Sequence, residues 1–374
     1  MICIQFVGAK FSQTLIQEFH IVSEQFPRFS LSRRQWLACS ATIAALPGAM
    51  ALGGCASSQG AAAGGGRPGG LSVVGGLFAG SRSDKGFMEA GWRGLEKARA
   101  ELGVQLRFID GIPPQKDKLA AALTQLAEQG SPLVIAHGGQ NNQVAVEVAQ
   151  RFPGTRFVVT QGAVQAANLS SYDVLQEESA YLAGVLAALT TRTGVVGHMS
   201  GIRVPPGLKG RAAYAAGVRD TNPKVRLLTN FSGDQDDNAL SHRIAQAQIA
   251  AGADVIFTML NSGRDGVTRA CREKRVRQIG NVIDWTAVDP QVFVASAWAD
   301  VGIGAFLAVK DMKESGAPKP GINKIGLQDP AAVRLIMGKD VPASVRARVE
   351  QARAAIASGR LKVPEHYEGP EFSA

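Results

Sequence analysis

The sequence LSVVGGLFAGSRSDKGFMEAGWRGLEKARAELGVQLRFI, residues 71–109, joins two strand-like runs through a helix-like one. The first run, 71–78, is short and apolar, as expected of a buried strand. Residues 87–102 have the spacing of an amphipathic helix, and 105–109 return to a strand pattern. A polar loop, 81–87, leads from the first strand into the helix. This order is typical of a parallel βαβ unit.

The same alternation continues through most of the chain that follows. Further strands are predicted at 133–136, 156–160, 194–199, 225–229, 255–259, 278–283 and 292–297. Helices are predicted at 116–129, 143–151, 177–190, 208–220, 239–251, 266–274, 301–314 and 344–358. Because βαβ crossovers are right-handed, two such arrays in tandem predict an α/β protein with two doubly wound parallel-sheet lobes.

Residues 1–54 carry the features of an export signal, and we exclude them from the folded lobes. Arg33-Arg34 precedes a long uncharged run, an order similar to twin-arginine signal peptides. Leu52-Gly53-Gly54-Cys55 matches a lipobox and predicts lipidation of Cys55, although a plain N-terminal membrane anchor is the alternative. Residues 55–70 are predicted to be a flexible tether. We therefore expect an exported lipoprotein, held at a membrane in the periplasm or on the cell surface.

Composition excludes several other classes of protein. The formal net charge is +9, but the basic residues are scattered, without the Lys/Arg blocks and interleaved aromatics of nucleic-acid binders, so no nucleic acid is expected as a partner. After residue 54 only Cys55 and Cys271 remain, which excludes a disulfide scaffold and a zinc cluster. Cys271 lies in a predicted helix, where it is expected to be a small buried apolar residue.

The loops at the carboxyl ends of the predicted strands are where ligands bind in open parallel sheets. These loops are rich in polar, glycine and aromatic residues, which suit a small polar solute. Their candidate ligand contacts are Asp84, Phe87, His137, Gly138, Gly201, Asn261, Gly263, Asp284 and Trp285. Trp285 and a further candidate, Trp298, could equally be core residues or stacking platforms.

Catalytic signatures are missing from the sequence, and no cofactor is predicted. None of the nucleophile-elbow, zincin, P-loop or dinucleotide-binding motifs occurs. The acidic run 234–238 resembles a calcium loop but has Ala239 and Ala245 where glycine and glutamate are needed, so it is expected to cap a helix through Asp236 or Asp237. His137 is the best candidate base, yet a lone histidine in a glycine-rich loop is more typical of a pocket wall.

Several motifs carry a family resemblance across residues 71–365. They are SDKGF at 83–87, VAQRFPGTRF at 148–157, ESAYLAG at 178–184 and GADVI at 252–256. In order and spacing the chain resembles the basic membrane protein family, the purine-nucleoside-receptor-like lipoproteins that serve ABC importers.

The resemblance implies a type I periplasmic-binding fold with hinge crossovers near residues 172, 290 and 318. Lobe 1 would comprise 71–172 and 291–318, and lobe 2 would comprise 173–290 and 319–374. It also implies that Asp84 and Asp284 hold ribose hydroxyls and that Phe87 stacks on a base, while Glu178 matches the glutamate before Tyr-Leu-Ala-Gly. Met88 and Ala299 stand where the family often has Asn and Lys, which weakens the case for a nucleoside.

These features together predict a substrate-binding lipoprotein rather than an enzyme. It would capture a nucleoside or a similar small polar solute between its lobes by hinge closure, as a monomer, and deliver it to an ABC permease in the membrane. One alternative is a ligand-sensing lipoprotein that signals to a membrane receptor. A secreted hydrolase that uses His137 is the other.

Overall fold

The computed structural model describes residues 71–84 and 86–373, which form two lobes, each built on a six-stranded sheet. The strands are β1 (Val73–Phe78), β2 (Gln105–Ile109), β3 (Leu133–His137), β4 (Arg156–Thr160), β5 (Leu169–Val174), β6 (Val195–Ser200), β7 (Arg226–Phe231), β8 (Val255–Met259), β9 (Arg277–Val282), β10 (Phe293–Ala299), β11 (Ile322–Ile325) and β12 (Val333–Met337). The helices are α1 (Phe87–Leu102), α2 (Lys116–Glu128), α3 (Asn142–Arg151), α4 (Gln176–Thr190), α5 (Pro205–Thr221), α6 (Asn238–Ala250), α7 (Arg264–Lys274), α8 (Trp285–Val288), α9 (Ile303–Ser315) and α10 (Ala343–Ala357).

The order of the strands confirms the predicted fold class. The first sheet runs β11-β5-β4-β3-β1-β2 and the second runs β12-β10-β9-β8-β6-β7. Neighbouring strands are parallel, apart from β12, which runs antiparallel to β10. Each lobe is therefore a doubly wound sheet, as the alternating pattern predicted.

The chain crosses between the lobes later than the sequence analysis placed the crossings. It leaves the first sheet after β5, returns after β10 and leaves again after β11, because β10 pairs with β9 in the second sheet and β11 pairs with β5 in the first. Residues 293–299 thus belong to lobe 2 rather than lobe 1, and 322–325 to lobe 1 rather than lobe 2. The short, partly polar sequences of β5, β11 and β12 carried no strand signal, so the positions that mark the crossings were missed.

Helix α4 forms the centre of the second lobe, because its sequence is apolar on nearly every side. It packs closely against α5 through two glycines, Gly184 and Gly217. A Cβ atom at Gly184 would overlap the carbonyl oxygen of Tyr214, and one at Gly217 would overlap that of Tyr181. Small residues at these positions let the two helix backbones approach each other.

The C-terminal tail after α10 lies on the second lobe and braces a loop of the site described below. The Phe372 amide donates to the carbonyl oxygen of Thr229 on the edge strand β7, at 2.8 Å. Glu371 pairs with Arg203, 2.6 Å away in the loop after β6, and also with Arg211 of α5. The tail therefore covers a free strand edge and holds the β6–α5 loop.

Two smaller expectations concern helices. Asp237 caps α6, its carboxylate accepting from the amides of Ala239 and Leu240, as the sequence predicted. Cys271 is fully buried in α7, also as predicted, and burial raises the pKa of its thiol to about 12. Within the described residues, every helix is too short or too polar to cross a bilayer. The predicted signal, the lipobox with Cys55, and the tether lie outside these residues.

Candidate functional site

A cavity of about 510 Å³ lies between the lobes, at the carboxyl ends of the central strands of both sheets. Its walls come from the loops after β1, β2 and β3 on one side, and from the loops after β6, β7 and β8, the start of α4 and the end of β9 on the other. The described residues that line it are Ala79, Gly80, Ser81, Ser83, Asp84, Phe87, Met88, Pro114, Gln140, Gln176, Ile202, Val204, Pro206, Gly207, Gly233, Asp234, Gln235, Asp236, Met259, Asn261, Ser262 and Asn281. The volume suits a small organic solute.

Asp84 fixes the geometry of the first wall. Its carboxylate accepts from the backbone amides of Gly86, Met88 and Glu89, at 2.9, 3.0 and 3.0 Å, and so satisfies the free N–H groups that begin α1. Burial raises the pKa of Asp84 above its ordinary value, although these hydrogen bonds oppose the rise. The residue therefore lines the cavity, while most of its acceptor capacity serves the helix.

The two lobes meet beside the cavity. The backbone amide of Phe87 in lobe 1 donates to Oδ1 of Asn261 in lobe 2, at 3.3 Å. Gly86 lies against the same asparagine, so that a Cβ atom there would come within 2.6 Å of Oδ1 and 3.1 Å of the Cα atom. This contact joins the lobes in the conformation described here.

His137 has a structural role in this arrangement. Its Nε2 donates to the carbonyl oxygen of Phe87 at 3.0 Å, and its Nδ1 accepts from the Thr160 hydroxyl at 2.7 Å. The imidazole also packs against the Phe87 ring, with the centroids 4.3 Å apart and the ring planes tilted by 31°. Burial lowers the pKa of His137 to about 4. A neutral, fully bonded ring behind the cavity wall supports Phe87 and has no free atom with which to act as a base.

Two amide side chains on lobe 2 have buried oxygen atoms without hydrogen-bond partners. Asn281 is 9% exposed, and neither its Oδ1 nor the Oε1 of Gln235 has a hydrogen-bond partner among the described residues. Directly after Asn281, Val282 adopts φ 69°, a left-handed conformation that costs a β-branched residue about 1–3 kcal/mol. This strained residue ends β9 and separates Asn281, at the cavity, from Asp284.

The remaining candidates lie away from the cavity wall. Asp284 caps α8, its Oδ1 accepting from the Thr286 amide at 3.0 Å. Trp285 is buried beneath the Arg264 guanidinium, and Trp298 lies in a separate groove, where its indole N–H donates to the Ala331 carbonyl. The other predicted residues outside the cavity lining are Gly138, Glu178, Gly201 and Gly263.

Glu178 instead stabilises a crossing between the lobes. Its Oε2 accepts from the Leu327 amide, 2.6 Å away, in the segment between β11 and β12. Burial raises the pKa of the Glu178 carboxyl. The glutamate is thus placed to hold the hinge rather than to touch a ligand in the cavity.

Sequence reasoning selected Asn261 but missed four other amide residues of the site. Gln140, Gln176, Gln235 and Asn281 line the cavity but were not selected. Gln140 and Gln235 lie in loops that follow predicted strands, so the rule that ligands bind at strand ends could have found them. As for metals, the described part of the chain holds no cluster of three or more His, Cys, Asp or Glu side chains that could share an ion.

Comparison with known proteins agrees with the fold. Residues 71–365 match the family model described as ABC transporter substrate-binding protein PnrA-like. An uncharacterized lipoprotein of Pyrococcus abyssi is 25% identical over 268 residues, 67% of this chain and 65% of that protein, so the chain spans about two thirds of this relative. A purine-binding protein of Brucella abortus is 24% identical over 77% of this chain and 81% of its own length.

A crystal structure with the same fold comes from Aeropyrum pernix. This ABC transporter solute-binding protein superposes with a TM-score of 0.70 at 22% identity, covering 78% of this chain and 94% of that one. The family consists of substrate-binding proteins rather than enzymes, which agrees with the structural role of His137. The chain therefore belongs to the PnrA-like family of ABC transporter substrate-binding proteins.

Proposed function

We propose that this protein captures a nucleoside, or a polar solute of similar size, in the cavity between its lobes and presents it to the permease of an ABC importer. The observation that carries the proposal is the cavity itself, about 510 Å³, with walls from the strand ends of both lobes. A solute bound there touches both lobes at once. Its binding energy then favours the closed arrangement over the open one.

The chemistry of the wall supports a nucleoside-sized ligand. The Phe87 ring offers an aromatic face, and amide side chains such as Gln140, Asn261 and Asn281 can donate to and accept from a base or a sugar. The relative from Brucella abortus is named a purine-binding protein, which also favours this class. Met88 is apolar where the family often has asparagine, so the hydrogen bonds to the ligand must come from other residues of the wall.

We also propose that the protein is exported and anchored through a lipid on Cys55. The lipobox at 52–55 and the name of the Pyrococcus abyssi relative, a lipoprotein, support this placement. An anchor at Cys55 followed by a tether to residue 70 would keep the lobes close to a permease in the same membrane.

The test is to identify what the purified protein carries and binds. Mass spectrometry of small molecules released on denaturation is expected to find a nucleoside or a similar solute. Isothermal titration calorimetry should then show one molecule bound per chain, and small-angle scattering should show a smaller radius of gyration at saturation. Turnover of the bound solute, or saturation with no change in the scattering curve, would contradict capture by closure.

A further inference from the structure

Glu371, in the C-terminal tail, pairs with two arginines whose surroundings differ. Its Oε1 lies 2.6 Å from a guanidinium nitrogen of Arg203, in the loop after β6, and 2.5 Å from one of Arg211, on α5. The Arg211 side chain is buried, whereas that of Arg203 is 55% exposed. Both guanidinium carbons lie 4.7 Å from the centroid of the Phe231 ring. One carboxylate therefore holds together two like charges that share one aromatic ring.

The backbone that carries Glu371 is fixed on the edge of the second sheet. The Phe372 amide donates to the Thr229 carbonyl oxygen at 2.8 Å, and the Phe372 carbonyl oxygen accepts from the Asn230 side chain. The Asn230 Oδ1 in turn accepts from the buried side chain of Gln248, on α6, at 2.7 Å. The carboxylate is thus presented from an anchored segment and not from a loose chain end.

Arg203 belongs to a stretch of chain that forms part of the cavity wall. Its two neighbours, Ile202 and Val204, line the cavity between the lobes. The Arg203 side chain itself pairs with Glu371, outside that lining. Ile202 is 37% exposed, so packing alone fixes this stretch weakly. The contacts of Arg203 with Glu371 and Phe231 therefore hold this part of the wall in place.

Loss of the Glu371 carboxylate would change this arrangement in a definite direction. The two guanidinium groups would repel each other over the same ring, with no anion between them. Arg211 is buried along helix α5, so the exposed Arg203 is the group that can turn outward into water. It would draw the backbone of 202–204 with it, and the cavity would lose a fixed wall.

We propose that Glu371 is a positioning residue for solute binding, which holds Arg203 against Phe231 and so keeps the β6–α5 loop where it forms the cavity wall. Glu371 acts through the loop and not by touching the solute. The end of the chain thereby preforms a wall whose Arg203 lies 168 positions earlier in the sequence. The inference rests on the proposed capture of a solute between the lobes, and it adds to that function a residue outside the cavity.

The position of the loop is tested without ligand, by hydrogen exchange of the full chain followed by mass spectrometry. In Glu371→Gln the amides of 201–204 should exchange at least about threefold faster than in the wild type, because local opening of the loop costs less. Glu368→Gln removes the same charge from another exposed residue of the tail and should leave this exchange unchanged. Unchanged exchange in Glu371→Gln, or equal changes in the two variants, overturns the inference.

The effect on affinity is measured by calorimetry with two uncharged probes, adenosine and ribose. Glu371→Gln should raise the Kd of the probe that the wild type binds by about 3- to 30-fold, because a loop that is only partly in place lowers the fraction of binding-competent protein. An unchanged Kd overturns the inference. If the wild type binds neither probe, the proposed capture of a nucleoside fails, and hydrogen exchange alone decides the role of Glu371.

A second variant separates positioning from stability. Glu371→Gln leaves the buried Arg211 without its carboxylate, so it should also lower the melting temperature. Arg203→Met breaks only the contact to the loop, and it should weaken binding to a similar extent with little change in melting temperature. Adding Glu371→Gln to Arg203→Met should then change the Kd less than about twofold further. Additive effects on the Kd would show that Glu371 does not act through Arg203 and would overturn the inference.

Salt supplies a readout that a purely structural role would not share. The Arg203 and Glu371 side chains are 55% and 36% exposed, so salt screens the attraction between them. Binding of an uncharged probe to the wild type should therefore be weaker at about 0.5 M than at about 0.05 M sodium chloride. Arg203→Met should abolish this dependence, and a dependence that persists in the variant would overturn the role of the pair.

Discussion

Gly86→Ala should weaken ligand binding by making the closed arrangement of the lobes less favourable. The new methyl group would lie 2.6 Å from Oδ1 of Asn261 and 3.1 Å from its Cα atom, closer than ordinary packing allows. The asparagine side chain could rotate away, but it would then lose the hydrogen bond from the Phe87 amide, and its backbone would remain too close.

The size of the effect follows from these two contributions. Overpacking at a close contact typically costs about 1–3 kcal/mol, and a hydrogen bond contributes about 0.5–1.5 kcal/mol. A total of about 1.5–4.5 kcal/mol, acting only when the lobes are together, should raise the Kd about 10- to 2000-fold. The open form has no such clash, so the melting temperature without ligand should be unchanged.

The assay is calorimetry with the solute identified from the purified protein, together with thermal unfolding of the ligand-free chain. Gly154→Ala is the matched control, because a Cβ atom there would meet nothing within 4 Å. Adding Asn261→Ala should remove most of the penalty caused by the alanine at 86, as the two residues interact directly. Wild-type affinity in Gly86→Ala, or a penalty unaffected by the change at 261, would refute this reasoning.

Three further predictions concern stability and anchoring. Gly184→Ala should lower the free energy of unfolding by about 1–3 kcal/mol, because the new methyl group would overlap the Tyr214 carbonyl oxygen. This cost should exceed the gain from the higher helix propensity of alanine. Urea titration measures it, and an unchanged midpoint would contradict the close packing of α4 on α5. His137 has a pKa of about 4 in the folded protein, below its ordinary 6.5, so as the pH falls the unfolded chain binds the proton before the folded one. The free energy of unfolding should therefore fall by about 1.4 kcal/mol for each pH unit of acidification between pH 6.5 and 4. His137→Gln should remove that part of the slope, and parallel curves for variant and wild type would be evidence against it. Cys55→Ala should move the protein from the membrane fraction to the soluble fraction, and wild-type protein that is already soluble with an unmodified N-terminus would disprove the anchor.

The parts of the fold that the sequence could predict are those where local pattern and tertiary environment agree. Strand β1 and helix α1 were recognisable because buried apolar runs and amphipathic spacing are local signals. Strand β11, with the sequence INKI, alternates exposed and half-buried residues at a sheet edge, so nothing local separates it from a loop. The strand pattern of β10 was visible, but the sheet that a strand joins depends on distant partners.

The site was predictable in position but less so in detail. The strand-end rule led to Asp84, Phe87 and Asn261, which do line the cavity. The rule could not predict that the Asp84 carboxylate accepts hydrogen bonds mainly from the amides that begin α1, because capping depends on the angle at which the loop enters the helix. Asn281 was missed because the strand predicted at 278–283 enclosed it, whereas β9 ends at Val282, whose left-handed conformation a β-branched residue rarely adopts.

The position of the three crossings has a mechanical consequence. They connect the β5–β11 edge of one sheet with the β10–β12 edge of the other, so they constrain the lobes along one side. A single linker would leave several rotational degrees of freedom, whereas three linkers along one side restrict the motion to opening and shutting about one axis. For the permease proposed as the partner of this protein, the signal available from outside is then the angle between the lobes rather than the identity of the solute. A solute that fits the cavity but stops the lobes from closing fully would stay bound to the protein without being released to the permease. Binding affinity and transport rate should therefore rank solutes in different orders.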